Sequence, residues 1–147
     1  MSVRLYLDAS VLVSLYVPED TTAAAESLVM GEAEVAVSVL TLLETRVAVE
    51  RKRKAGKLPV SAVAAVRARI EAEVSSRRLR LHAVDDADYH GADGISQRVH
   101  GPIRSLDAIH AAVAQRLGLE LVTLDQRLHE AAQTAGLPTR WVDPRVL

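Results

Sequence analysis

Four acids stand where chemistry would need them. Asp8 ends the apolar run of RLYLDAS, and Asp125 takes the same local position in LVTLDQRL: an apolar strand, an acid, then a helical pattern. Val3, Leu5, Tyr6 and Leu7 are strand formers, and short apolar runs of this kind read as buried parallel strands, so both acids fall at carboxyl ends. Glu44 lies within the stripe Leu40, Leu43, Val47 and Ala48 of VLTLLETRVA, whose spacing of three and four aims its carboxylate at the core. Asp107 in SLDAIHAAVAQRLG heads a row of His110, Ala111, Ala114 and Gly118, a small-residue face suited to close packing on a sheet, beside the stripe Leu106, Ile109, Val113 and Leu117. Ordinary structural roles stay open for each: Asp8 and Asp125 as N-caps of the helices that follow, and Glu44 as the partner of an arginine.

An unpartnered buried carboxylate costs several kcal/mol or takes up a proton, so acids placed on apolar faces imply partners. If all four converge, they cannot all stay ionised without a cation between them. The chain has no cysteine, which removes thiolate nucleophiles, thiolate zinc sites and disulfides together. His82, His90, His100, His110 and His129 are scattered without zinc spacing, and His110, one turn after Asp107, reads as a packing or hydrogen-bonding residue rather than a ligand. The natural occupant is a hard ion with oxygen ligands, Mg²⁺ or Mn²⁺, and sites of that kind characteristically act on phosphates. There is no phosphate loop, dinucleotide glycine fingerprint or nucleophile-elbow serine.

The elements that must position these acids alternate. Strand-like runs at Leu5–Leu7, Glu34–Ser38, Leu79–Val84, Leu119–Leu124 and Thr139–Val142 are separated by helical patterns around Val11–Tyr16, Thr21–Met30, Leu40–Ala55, from Pro59 to about Arg77, Asp86–Val99, Ser105–Leu117 and Gln126–Ala135. Gly56, Gly118 and Gly136 follow three of the helices as left-handed caps. The alternation predicts an α/β domain with one parallel sheet and helices on both faces, where ligands bind beyond the carboxyl ends of the strands.

Bulk properties fit a single domain over residues 1–147, because nearly half the residues are hydrophobic and charge is ordinary. No apolar stretch approaches the roughly 20 residues of a membrane span, and no basic start is followed by an apolar core and cleavage site, so a cytoplasmic protein is expected. Net charge is −1, which does not announce a nucleic-acid binder. Between Arg46 and Arg80, however, bases far outnumber acids, with RKRK at Arg51, Lys52, Arg53 and Lys54. A solvated helical face explains such a run, and so does attraction to phosphate.

LYLDAS, SVLTLLE with the basic helix after it, RSLDAIHAAVA and LVTLDQRL, in that order from Leu5 to Val142, resemble the PIN-domain family, and within it the VapC-type toxins of toxin-antitoxin pairs. The resemblance implies a strand order of 3-2-1-4-5 and an acidic constellation carried by Asp8, Glu44, Asp107 and Asp125, supported by the hydroxyls of Ser10 and Thr123. It implies Mg²⁺- or Mn²⁺-dependent cleavage of RNA phosphodiesters by an activated water, with Arg46 and Arg51 to Lys54 contacting the RNA backbone. It also implies a homodimer held inactive by a small antitoxin protein, whose groove Leu12, Leu15 and Val17 would line. Aromatic residues are too few for much base stacking unless Tyr6, Tyr16, Tyr89 or Trp141 lies at the cleft.

A phosphotransfer enzyme with an aspartyl nucleophile would also place an acid after the first strand. It should carry a second acid two positions on and a late lysine; here Ser10 holds that position and no lysine follows Lys57. A non-catalytic RNA-binding or partner-binding domain of the same fold is the other alternative, and the intact acids argue against it.

Overall fold

The computed structural model describes residues 4–31 and 34–145, so Val3 lies outside the described residues. The chain runs β1 (Arg4–Leu7), α1 (Ala9–Tyr16), α2 (Thr22–Val29), β2 (Glu34–Ser38), α3 (Val39–Lys54), α4 (Val60–Ser75), β3 (Arg80–His82), α5 (Asp86–Arg98), α6 (Ser105–Leu117), β4 (Glu120–Thr123), α7 (Gln126–Thr134) and β5 (Thr139–Trp141). All five strands pair in parallel in the order 3-2-1-4-5. That order sets β1 beside β4, with Leu7 opposite Val122, so Asp8 and the residues after Thr123 leave the sheet side by side.

Alternation along β1 divides the core. Leu5 and Leu7 point to one face, where Val11 and Leu12 of α1, Val49 of α3 and Ile70 of α4 pack on them. Tyr6 points to the other, among Ile95 of α5, Ala111 and Val113 of α6 and Leu128 of α7. Each large apolar side chain removed from water contributes about 1.5–3 kcal/mol, which holds the helices on their faces despite strands of three to five residues. Gly118, at φ +67°, takes the left-handed backbone that lets α6 stop and turn into β4. Among the described residues no helix is long and apolar enough to cross a membrane.

Two expectations about helix faces need correction. In α3 only the ends of the stripe reach the core: Leu40 and Ala48 are half-buried against it, whereas Leu43 and Val47 are 59% and 46% exposed, and the buried side is Thr41, Leu42, Thr45 and Val49. Threonine counts as polar in a periodicity, yet these hydroxyls are satisfied: Thr45 donates to the Thr41 carbonyl of its own helix at 2.7 Å and Thr41 to the Leu7 carbonyl of β1 at 3.1 Å. Leu12 and Val17 are buried in the core between α1 and the sheet and offer no groove to a partner. Leu15, 7% exposed, borders a hollow of about 420 Å³ with Tyr16, Val29 and Arg69.

Candidate active site

The end of β1 and the end of β4 are tied together through Asp8. Its Oδ1 accepts from the Ser10 hydroxyl at 2.6 Å and the Val11 N–H at 3.2 Å, and its Oδ2 accepts from the Thr123 hydroxyl at 2.5 Å. Both hydroxyls also receive a bond from the β4 side: the Leu124 N–H donates to Ser10 and the Asp125 N–H to Thr123, each at 3.0 Å. Asp8 therefore caps α1 and joins two strand ends at once. It is only 5% exposed, and every one of these donors is neutral. Burial pushes its carboxyl above the ordinary range, with the Ser10 and Thr123 hydroxyls pulling back.

Asp125 caps α7, its Oδ1 accepting from the Arg127 N–H at 2.9 Å. Asp107 stands in the first turn of α6. Burial, then the neighbouring charge of Asp125, pushes its carboxyl up, and Asp8 adds to this against Arg104 and His110. Three carboxylates thus share one electrostatic neighbourhood at the carboxyl edge of the sheet. Arg104, at the N-cap of α6, reaches across it: its Nε lies 3.9 Å from Asp107 Oδ2 and its Nη2 3.9 Å from Asp125 Oδ2. Its side chain is 78% exposed. Sequence reasoning gave Arg104 no role, although its place three residues before Asp107 puts the two on one helical turn.

Glu44 joins through a different partner. Its carboxylate is hydrogen-bonded to His110 Nε2, not to an arginine, and His110 Nδ1 lies 2.7 Å from the Tyr6 hydroxyl. His110 is thus a hydrogen-bonding residue, as expected, and the link between the acid of α3 and the helix that carries Asp107. Tyr6 is fully buried and lies outside the cleft. Trp141 stacks on His129 and donates its indole N–H to the Leu124 carbonyl.

The acids lie between two grooves. Ser10, Glu44 and Leu124 line one of about 640 Å³ together with the exposed apolar residues Leu43, Val47 and Leu106 and with Arg51. Asp107 and Asp125 line another of about 640 Å³ with His100, Ile103, Arg104 and Arg127. The basic run divides. Arg51 shares the face of Glu44 and also borders, with Arg46 and Lys54, a neighbouring hollow of about 530 Å³, whereas Arg53 is paired with Glu50 at 2.8 Å.

Among the described residues no three acids or histidines are gathered tightly enough to enclose an ion as they stand. The donor set is nonetheless hard: carboxylate oxygens around a buried, uncompensated charge, open to solvent through Asp107 and Asp125. That fits Mg²⁺ or Mn²⁺, of which Mg²⁺ keeps several waters and takes one or two carboxylates directly, and does not fit a dehydrated cage of the zinc type.

Comparison with known proteins places these features in a family. Residues 5–133 match the PIN domain. Ribonuclease VapC46 of Mycobacterium tuberculosis is 32% identical over 140 residues, 90% of this chain and 93% of that protein. Among solved structures, Mycobacterium tuberculosis VapC20, a toxin that cleaves the sarcin-ricin loop, superposes with a TM-score of 0.69 at 19% identity, over 90% of this chain and 95% of that one. A chain of a toxin-antitoxin complex from Klebsiella pneumoniae gives 0.65 at 18% identity, over 95% and 98%. At such identities the two structures speak for the fold alone.

Proposed function

The chain belongs to the PIN-domain family, and on that premise we propose that it is a metal-dependent endoribonuclease, the toxin of a VapBC-type pair, hydrolysing RNA phosphodiesters. The observation that carries the reading is Asp8: a buried carboxylate held in place by two hydroxyls and an N–H, with no cationic side chain bonded to it and with Asp107 and Asp125 beside it. Such a concentration of negative charge is stable when a cation sits among the acids. The identity to a VapC ribonuclease supports the substrate class, and the toxin-antitoxin relatives support a small antitoxin as partner.

Asp8, Glu44, Asp107 and Asp125 would hold the ion, directly or through water. Mg²⁺ or Mn²⁺ bound there supplies charge neutralisation at the phosphate and a more acidic attacking water. Ser10 and Thr123 keep the Asp8 carboxylate facing the edge. Arg104 neutralises part of the Asp107 and Asp125 charge and can turn to a phosphate, because its side chain is mostly free. Arg51, on the Glu44 face, contacts the RNA backbone, with Arg46 and Lys54 extending that contact and Lys52 and Arg53 outside it; backbone contacts position the strand without reading sequence. A homodimer is the expected assembly.

The test is to sequence RNA ends from cells expressing the chain or its Asp8→Asn variant, and to repeat cleavage with purified protein after chelation. New ends that need both Asp8 and a divalent ion support the reading. Undiminished cleavage after exhaustive chelation, or identical RNA ends with Asp8→Asn, overturns it.

A further inference from the structure

We infer that His110 is a positioning residue, which holds the Glu44 carboxylate at the acid edge through an N–H on Nε2, and that Tyr6, bonded to Nδ1, fixes the ring. The inference rests on the metal-dependent reading of the acids, whose geometry it serves.

The ring is held by a buried chain of bonds. Each hydroxyl has one proton to give. Thr41 gives its proton to the Leu7 carbonyl at 3.1 Å and receives the Ser38 N–H at 3.2 Å. Ser38 Oγ receives the Thr41 N–H at 3.3 Å, and its own proton has the Tyr6 oxygen at 2.8 Å as its best acceptor. Tyr6 has two further neighbours, His110 Nδ1 at 2.7 Å and Thr41 Oγ1 at 3.3 Å, and the shorter bond ties the ring at Nδ1. The other ring nitrogen, Nε2, is bonded to the Glu44 carboxylate, which can only accept, so Nε2 carries a proton. A bare Nε2 would set two lone pairs, on the ring and on the carboxylate, against each other.

The placement explains why the chain matters at the site. Glu44 stands on the open face of α3, where rotation about its side chain would carry the carboxylate into solvent. His110 stops that rotation from α6, one turn after Asp107, so the helix that delivers one acid also sets the position of another. Groups that orient ligating carboxylates typically change metal affinity or activity by about 10–100-fold when removed.

The experiment uses the full chain without RNA. Mn²⁺ binding is measured by calorimetry for the parent, His110→Asn, His110→Gln and Tyr6→Phe, alongside ¹⁵N shifts of the labelled imidazoles at neutral pH. The parent should show a protonated Nε2 at His110. His110→Asn, whose amide ends near the Nδ1 position, should bind Mn²⁺ about 10–100-fold more weakly, while His110→Gln, which keeps an N–H near the Nε2 position, recovers most of that loss. Tyr6→Phe, which releases the ring at Nδ1, should give an intermediate affinity and an Nε2 only partly protonated. In RNA cleavage the loss should fall on kcat, with KM for RNA unchanged. A parent imidazole that is bare on Nε2, or a folded His110→Asn that binds Mn²⁺ like the parent, overturns the inference alone. A parent that binds no Mn²⁺ overturns the metal reading and this inference with it. If His110→Asn does not fold, Tyr6→Phe, which removes a single oxygen, decides the question by the same two readouts.

Discussion

Thr123 donates its hydroxyl to Asp8 at 2.5 Å while accepting the Asp125 N–H at 3.0 Å, so one side chain fastens the acid after β1 to the acid after β4. Thr123→Val keeps the shape and removes both bonds. The buried Asp8 carboxylate then loses a donor, at about 1–3 kcal/mol. Urea unfolding in chelator measures this, and repeating it in an Asp8→Asn background separates the causes. With the charge gone the penalty should shrink below about 1 kcal/mol; an equal penalty in both backgrounds would mean that the hydroxyl does not serve the carboxylate.

The raised carboxyls of Asp8 and Asp107 fix the sign of a pH effect. A group whose folded-state pKa lies above its unfolded value of about 3.9 contributes stability that is present below that value and lost as pH rises through the folded one. At neutral pH without metal, both acids therefore weigh against the fold. Asp107→Asn should leave stability in chelator equal or higher, flatten its rise on mild acidification, and reduce the stabilisation given by millimolar Mg²⁺. Thermal unfolding of both proteins, with and without the ion, checks all three. A variant much less stable than the parent in chelator, with a parent indifferent to Mg²⁺, contradicts the metal role of Asp107.

Asp88 should behave in the opposite way. It is buried at the start of α5, capping the Asp85 N–H and accepting two bonds from Arg116 of α6 at 2.7 and 2.9 Å. Burial alone would push its carboxyl up, but the Arg116 guanidinium holds it below the ordinary range. Its stabilisation is present above the unfolded value of about 3.9 and is lost as pH falls through the folded one. Asp88→Asn should lower stability by about 1.5–3 kcal/mol at neutral pH, the scale of hydrogen bonds to a charged group, with the difference from the parent closing at acid pH. A difference that persists unchanged at acid pH would assign the loss to packing.

The contrast between Asp88 and the site acids also marks what the sequence makes legible. Strand ends are readable: Asp8 and Asp125 follow short apolar runs, and alternation with helices places both at one sheet edge. Glu44 was found for a reason the fold does not honour, since α3 turns threonines inward and leaves Leu43 and Val47 exposed. Periodicity counts apolar atoms and cannot see that a hydroxyl bonded to its own helix buries like a methyl group. Arg104 is exposed and reads as one more solvated charge, and the Tyr6–His110 link joins two buried residues 104 positions apart, which no periodicity within β1 or α6 records. The Asp88–Arg116 pair left no pattern because it joins two helices across 28 residues.

The basic run gives the last prediction, because the fold separates its members. Arg51 lies on the face of Glu44 and opens on the groove beside the acids, whereas Arg53, three residues after Glu50, is held by that carboxylate. Binding of RNA releases counterions in proportion to the phosphates contacted, so the slope of log affinity against log salt counts contacts, at about 0.7 per contact for a single strand. In chelator, which suppresses cleavage, Arg51→Gln should weaken binding of a single-stranded RNA and reduce the slope by about that amount. Arg53→Gln should leave the slope unchanged, because its charge is already spent on Glu50. Fluorescence anisotropy from low to moderate salt resolves the difference. Equal slopes for the two variants and the parent would return the whole run to a solvated helical face, and equal losses for both would mean that α3 attracts RNA through its field without a defined path past Glu44.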